Sequence, residues 1–126
     1  MRVEAEFDGD VGTVRSARKF VATALHGWKL DHLSEVACLL TSELAANAVS
    51  HAGSMYRLVV EWKSTQLRIQ VIDHSPVFPR QSSACVDQDS GKGLVLVEAL
   101  AAGWGTRPAG EGKSVWFALN AEDENS

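Results

Sequence analysis

The residues best suited to chemistry fall in three short stretches. Glu43 and Asn47 stand four positions apart in a helical pattern that runs from about Asp31 to Ala52. The apolar stripe of that pattern is Leu33, Val36, Ala37, Leu40 and Leu44, at the i, i+3, i+4, i+7 spacing of a buried helix face. Continued by one turn, the stripe meets Asn47 and then His51. At 3.6 residues per turn Asn47 falls within about 60° of every member of the stripe except Ala37. Glu43 lies at its edge, one turn earlier. Burying an unpaired amide costs about 1–3 kcal/mol, and a carboxylate costs more. Something polar must therefore meet these groups, and water, a metal ion or a ligand would each serve. Asp73 follows directly on the apolar run Ile69–Ile72, where a carboxylate can accept from a ligand donor such as the amino group of a base. Gly91-Lys92-Gly93 ends a polar stretch and opens an apolar one. Glycines there allow the backbone to approach a ligand closely, and a helix start offers free N–H groups to phosphate.

Each feature also has a plainer reading. Asn47 can bond a neighbouring backbone, Glu43 can simply be exposed, and His51 can close the helix end by bonding its last carbonyls. Asp73 before His-Ser-Pro can start a turn, and a lone Gly-x-Gly can serve a turn alone. Two familiar phosphate motifs are excluded. The third glycine of a dinucleotide fingerprint is replaced by Leu96, and no strand runs directly into Gly91. Gly112-Lys113-Ser114 has the letters of a P-loop end, but it opens a strand and the upstream glycine is not at the right spacing.

Composition narrows the classes further. The chain has 126 residues, 45% hydrophobic and 22% charged, enough for one domain with one core and no need of disulfides or structural metal. Its formal net charge is −4 with no basic cluster, which disfavours a nucleic-acid surface. Lys92 and Lys113, both in glycine-flanked segments, are the candidates for local positive charge. The two cysteines, Cys38 and Cys85, have no zinc spacing and read as free thiols of a reducing, cytoplasmic compartment. The opening MRVEAEFDGD has no apolar core of a signal peptide, and no apolar run approaches the roughly 20 residues needed to span a bilayer. No membrane association is expected.

These residues need elements to position them. Val3, Ala5 and Phe7 alternate as a short strand over 2–7. Val14, Ala17, Val21, Ala24, Leu25 and Trp28 recur at helical spacing, which predicts a helix over about 12–27 with Gly27 near its end. Asp31 is the expected cap of the second helix and Gly53 its stop. Tyr56–Trp62 and Leu67–Ile72 alternate on either side of Lys63–Thr65, a hairpin. Residues 74–90 form a long polar loop, Gly93 to Ala102 a third helix, and Val115, Phe117 and Leu119 a last strand. The predicted order is β-α-α-β-β-loop-α-β. It implies an α+β sandwich, a mixed and mostly antiparallel sheet with helices on one face. Residues 1–120 make the domain and 121–126 a disordered tail.

Taken together, the stretches resemble a family. Thr41-Ser42-Glu43-Leu44-Ala45-Ala46-Asn47-Ala48-Val49-Ser50-His51-Ala52 resembles the N box of the Bergerat-fold (GHKL) ATPases. Val71-Ile72-Asp73-His74-Ser75-Pro76 is similar to their adenine-binding strand end, and Gly91-Lys92-Gly93-Leu94-Val95-Leu96-Val97-Glu98-Ala99-Leu100 to their second glycine box. Gly112-Lys113-Ser114-Val115-Trp116-Phe117 is similar to their closing strand. Order and spacing agree over nearly the whole chain. Within that superfamily the chain is most similar to the small anti-sigma-factor serine/threonine kinases, and especially to their stand-alone actinobacterial versions.

The resemblance implies ATP and Mg²⁺ as cofactors. Glu43 would be the general base and Asn47 a ligand of the Mg²⁺ that bridges the phosphates. Asp73 would accept from the adenine amino group, with Ser75 and Ser114 near the base. Gly91, Lys92, Gly93 and Leu94 would hold phosphate, and 77–90 would form the ATP lid, with Arg80 a candidate for the γ-phosphate. The implied activity is phosphorylation of an anti-sigma-factor antagonist of the STAS type, binding of a sigma factor, or both. A nucleotide-gated interaction module without turnover is the alternative, and a homodimer is the implied assembly. The chain departs from the pattern at Ser75, where the superfamily often has glycine. That side chain would narrow the adenine site.

Overall fold

The first helix forms because Ala17, Val21 and Leu25 recur every fourth residue and are fully buried together. In the computed structural model, which describes residues 1–52, 55–74, 97, 99–110 and 112–121, this helix, α1, is Thr13–Gly27. The Thr13 hydroxyl lies 2.7 Å from the Asp10 carbonyl at its start. At its end Lys29 N–H bonds the His26 carbonyl at 3.1 Å and Leu30 N–H bonds the Leu25 carbonyl at 2.8 Å. That is a Schellman closure, and its left-handed residue is Lys29 at φ 61°, two positions beyond Gly27. The apolar pair that accompanies such a closure is Leu25 with Leu30, both buried.

The second helix differs at its start from the expectation. Asp31 does not cap it. Its carboxylate meets His26 Nδ1 at 2.9 Å, and Asp31–Leu33 form a 3-10 turn that leads into α2, Ser34–Ala52. Along α2 the buried residues are Ala37, Leu40, Thr41, Leu44, Ala45, Asn47 and Ala48. Val36, placed on the buried stripe by spacing, is only half-buried.

Five strands follow the order β1 (Arg2–Phe7), β2 (Tyr56–Lys63), β3 (Gln66–Asp73), β4 (Gly103–Ala109) and β5 (Gly112–Asn120). In the sheet they lie β1-β2-β3-β5-β4, and all four pairings among the described residues are antiparallel. The expected β2–β3 hairpin is present, turned through Ser64 and Thr65 at φ 53° and 63°. β4 is the strand that periodicity does not predict. The helix expected over 93–102 is helical at Val97, Ala99 and Leu100. Ala101 N–H closes it on the Val97 carbonyl, and Ala102 N–H already bonds the Ala118 carbonyl of β5 at 2.8 Å. The chain therefore enters the sheet where the helix was expected to continue.

The core lies between the layers. Leu58 and Val60 of β2, Leu67, Ile69 and Val71 of β3, and Val115, Phe117 and Leu119 of β5 form one buried cluster with the apolar residues of α1 and α2. Both helices thus cover one face of the sheet. Phe7 stacks on Tyr56 with ring centres 5.6 Å apart and meets the Phe20 edge at 6.2 Å, closing the β1 end of that core. Among the described residues the architecture is an α+β two-layer arrangement: a five-stranded antiparallel sheet with the two long helices α1 and α2. The expected tail, 121–126, lies outside the described residues except for Ala121.

Candidate functional site

Strand register decides which of the candidate residues can meet. On β3, Leu67, Ile69, Val71 and Asp73 alternate onto the face covered by the helices, so Asp73 continues the core row past its last apolar member. Its neighbour across the β3–β5 pair is Lys113, as Val71 faces Val115 and Ile69 faces Phe117. Lys113 Nζ donates to Asp73 Oδ2 at 2.8 Å, with the two side chains 1% and 2% exposed. A buried carboxylate next to a buried ammonium satisfies each group's need for a counter-charge.

The two backbones also approach closely here. A Cβ on Gly112 would sit 1.8 Å from the Asp73 carbonyl oxygen, so no other residue fits between the strand ends.

Ser114 sits one residue further and therefore on the other face. It pairs with Ile72, and its hydroxyl lies 2.8 Å from Gln70 Oε1 on the side of the sheet away from the helices. Asp73 and Ser114 thus lie on opposite faces of the sheet. On that same outer face the Arg68 guanidinium lies 4.2 Å from the centre of the Trp116 ring. Trp116 lies against Gly105, where a Cβ would come within 3.0 Å of its Nε1.

Asn47 lies in the second half of α2 on the side that packs on the sheet, 6% exposed. Its Nδ2 is buried with no hydrogen-bond partner among the described residues, as is the Thr41 hydroxyl. Native interiors leave few such groups, and each one marks strain or a site for something polar. Glu43, one turn earlier, is half-buried and borders an open groove of about 470 Å³ between the helices, with Arg18, Glu35, Cys38, Leu39 and Ser42. In that groove Ser42 donates to the Cys38 carbonyl at 2.9 Å, and the Cys38 thiol meets the Arg18 carbonyl at 3.5 Å.

The structure thus brings Asp73 and Asn47 into the layer between α2 and the sheet and sets Glu43 at the border of the interhelical groove. Ser75, Gly91, Lys92, Gly93 and Leu94 lie outside the described residues, as do Arg80, Cys85 and the segment 77–90 expected to be a lid. The side chain of His51 does too. Among the described residues no three His, Cys, Asp or Glu side chains cluster as a metal cage. A cation held by one amide and a ligand's own oxygens needs no such cage.

Sequence reasoning singled out Lys113 for its charge but not as the partner of Asp73. The signal was available. Lys113 stands two residues before Val115, in step with Val115, Phe117 and Leu119, so the alternation of β5 puts a lysine on the apolar face.

Compared with known proteins, the chain matches no family model and no curated protein. No described helix is long and apolar enough to cross a membrane.

Proposed function

We propose that the protein is a Bergerat-type (GHKL) ATP-binding regulator that acts as a serine/threonine kinase on an antagonist protein of the STAS type, binds a sigma factor, or both. The observation that carries the reading is the orphaned amide of Asn47, buried on the sheet-facing side of α2. A buried amide with unused hydrogen-bonding capacity fits an oxygen-rich ligand. With its oxygen toward a cation it would ligate Mg²⁺, and its N–H₂ would donate to a phosphate oxygen. Asp73, at the end of a core strand on the same face, would accept from the adenine amino group. Bound ATP would supply the transferable phosphoryl group. Glu43, half-buried at a groove wide enough to admit a side chain, would take the proton from an incoming serine or threonine hydroxyl. The cytoplasm is the proposed compartment, in keeping with the half-buried free thiol of Cys38.

The test is calorimetric titration with ATP, with and without Mg²⁺, repeated on Asn47→Ala. Mg²⁺-dependent binding that disappears in the variant is expected. Mg²⁺ dependence that survives the substitution rejects the metal assignment, and no binding of ATP to the natural chain rejects the reading as a whole.

One observation favours a second reading, a nucleotide-gated interaction module without turnover. Glu43 borders the interhelical groove, whereas Asn47 lies between the layers. Glu43→Gln separates the two. A kinase loses phosphotransfer to its antagonist in that variant and retains nucleotide binding. A binding module keeps every partner interaction unchanged.

A further inference from the structure

The ammonium of Lys113 has more donors than the described residues use. It carries three N–H groups, is 1% exposed, and has one acceptor among the described residues, Asp73 Oδ2 at 2.8 Å. A carboxylate, with two oxygens, accepts several hydrogen bonds at once. The pair therefore presents a donor and an acceptor side by side at the end of the sheet, on the face that α2 covers. Adenine offers the complementary arrangement along either of two edges. Its 6-amino group is a donor, and a ring nitrogen on each side of it, N1 or N7, is an acceptor.

We infer that Lys113 is a base-contacting specificity residue that donates to the ring nitrogen flanking the 6-amino group while Asp73 accepts from that amino group. The inference rests on the nucleotide reading above. It adds a second polar contact to the base, made by a charged donor from β5. The register leaves this role to Lys113 and not to Ser114, because only odd-numbered residues of β5 share the face of Asp73. Gly112 keeps the strand ends close enough for the pair to form, since a side chain there would meet the Asp73 carbonyl. A hydrogen bond from a charged donor contributes about 1.5–3 kcal/mol, which is about 10- to 100-fold in affinity.

The experiment compares Mg²⁺-ATP with its 1-deaza and 7-deaza analogues, each of which lacks one ring nitrogen. Titrated into the natural chain, one analogue should bind about 10- to 100-fold more weakly than ATP, and which one it is identifies the edge. In Lys113→Met that difference should vanish, with ATP falling to the level of the weak analogue. Equal binding of all three nucleotides by the natural chain overturns the inference. So does a difference that persists in Lys113→Met, because another group would then hold the ring nitrogen. If the variant does not fold, the Lys113 Nζ–H resonance of the natural chain decides. It should shift with ATP and stay in place with the weak analogue, and a shift with both refutes the contact. Failure of ATP itself to bind is a different result, because it removes the nucleotide reading along with this one.

Discussion

Replacing Asn47 by leucine should make the ligand-free protein more stable. The amide lies 6% exposed on the sheet-facing side of α2, with Nδ2 unpaired among the described residues. An unsatisfied buried polar group costs about 1–3 kcal/mol, and an apolar side chain of similar volume removes that cost. Leucine is also a better helix former than asparagine. The expected gain in urea denaturation is therefore about 1–3 kcal/mol, which for a chain of this size raises Tm by roughly 4–10 °C. Nucleotide reverses the advantage. At Mg²⁺-ATP a hundredfold above Kd the natural chain gains about 2.7 kcal/mol by mass action, and Asn47→Leu should gain nothing. The two chains should thus differ without ligand and converge or cross with it. An Asn47→Leu protein that is less stable without nucleotide would show that the amide is already satisfied. One that still gains stability from Mg²⁺-ATP would show that Asn47 does not hold the ligand.

Lys113→Met alone should cost about 3–5 kcal/mol, because it strands the Asp73 carboxylate in the interior. The double substitution Asp73→Leu with Lys113→Met should recover most of that loss, and a thermal melt of the three variants checks it. Gly112→Ala should cost about 3 kcal/mol or more, since its Cβ would sit 1.8 Å from a backbone oxygen that cannot rotate away. An unchanged melt would rule out that close approach. Lys29→Gly should stabilise by about 1 kcal/mol, because glycine takes the φ of 61° without the penalty a lysine carries. Burial pushes the Tyr56 phenol up from its ordinary value, with the Thr13 hydrogen bond opposing it. The folded state therefore favours the neutral phenol. Its contribution is complete below about pH 10, the unfolded value, and is lost as pH rises through the higher folded value. Denaturation of Tyr56→Phe should show a shallower loss of stability above about pH 10 than the natural chain.

The parts of the fold legible in the sequence are those where periodicity and burial coincide. Ala17, Val21 and Leu25 mark α1, and the alternation of Leu67, Ile69 and Val71 marks β3 and which of its faces is inside. β4 escapes because its residues carry no alternation. Gly103-Trp104-Gly105-Thr106-Arg107-Pro108-Ala109 reads as a turn-rich stretch. Its glycines leave room for the Trp116 ring, and its proline is tolerated because β4 is an edge strand. Both reasons lie in another strand or in the sheet order, not in the segment itself. The side of the sheet that Ser114 occupies was hidden for a related reason. The resemblance implies a place near the base for both Asp73 and Ser114, but one step along a strand reverses the face. Asp31 was expected as a cap by type, and the nearby His26 takes its carboxylate instead. Asn47 and Asp73 were legible as positions that cannot be apolar by accident, and the meaning of that polarity was not.

The position of β1 at one edge of the sheet bears on how the chain is made. Among the described residues, 2–7 pair only with β2, Arg2 opposite Glu61 and Phe7 opposite Tyr56, and all of α1 and α2 lies between. During synthesis β1 therefore emerges well before its partner exists, while the helices that follow can form from local contacts. For that interval it is an unpaired strand with Val3, Ala5 and Phe7 along one side. Arg2, Glu4 and Glu6 occupy the alternate positions, and in the finished sheet they face solvent, with Arg2 held to Glu4 at 2.7 Å. Charges at every second residue are what keep an unpaired strand from joining a neighbouring chain. Those three side chains thus protect the newborn chain as well as the folded one.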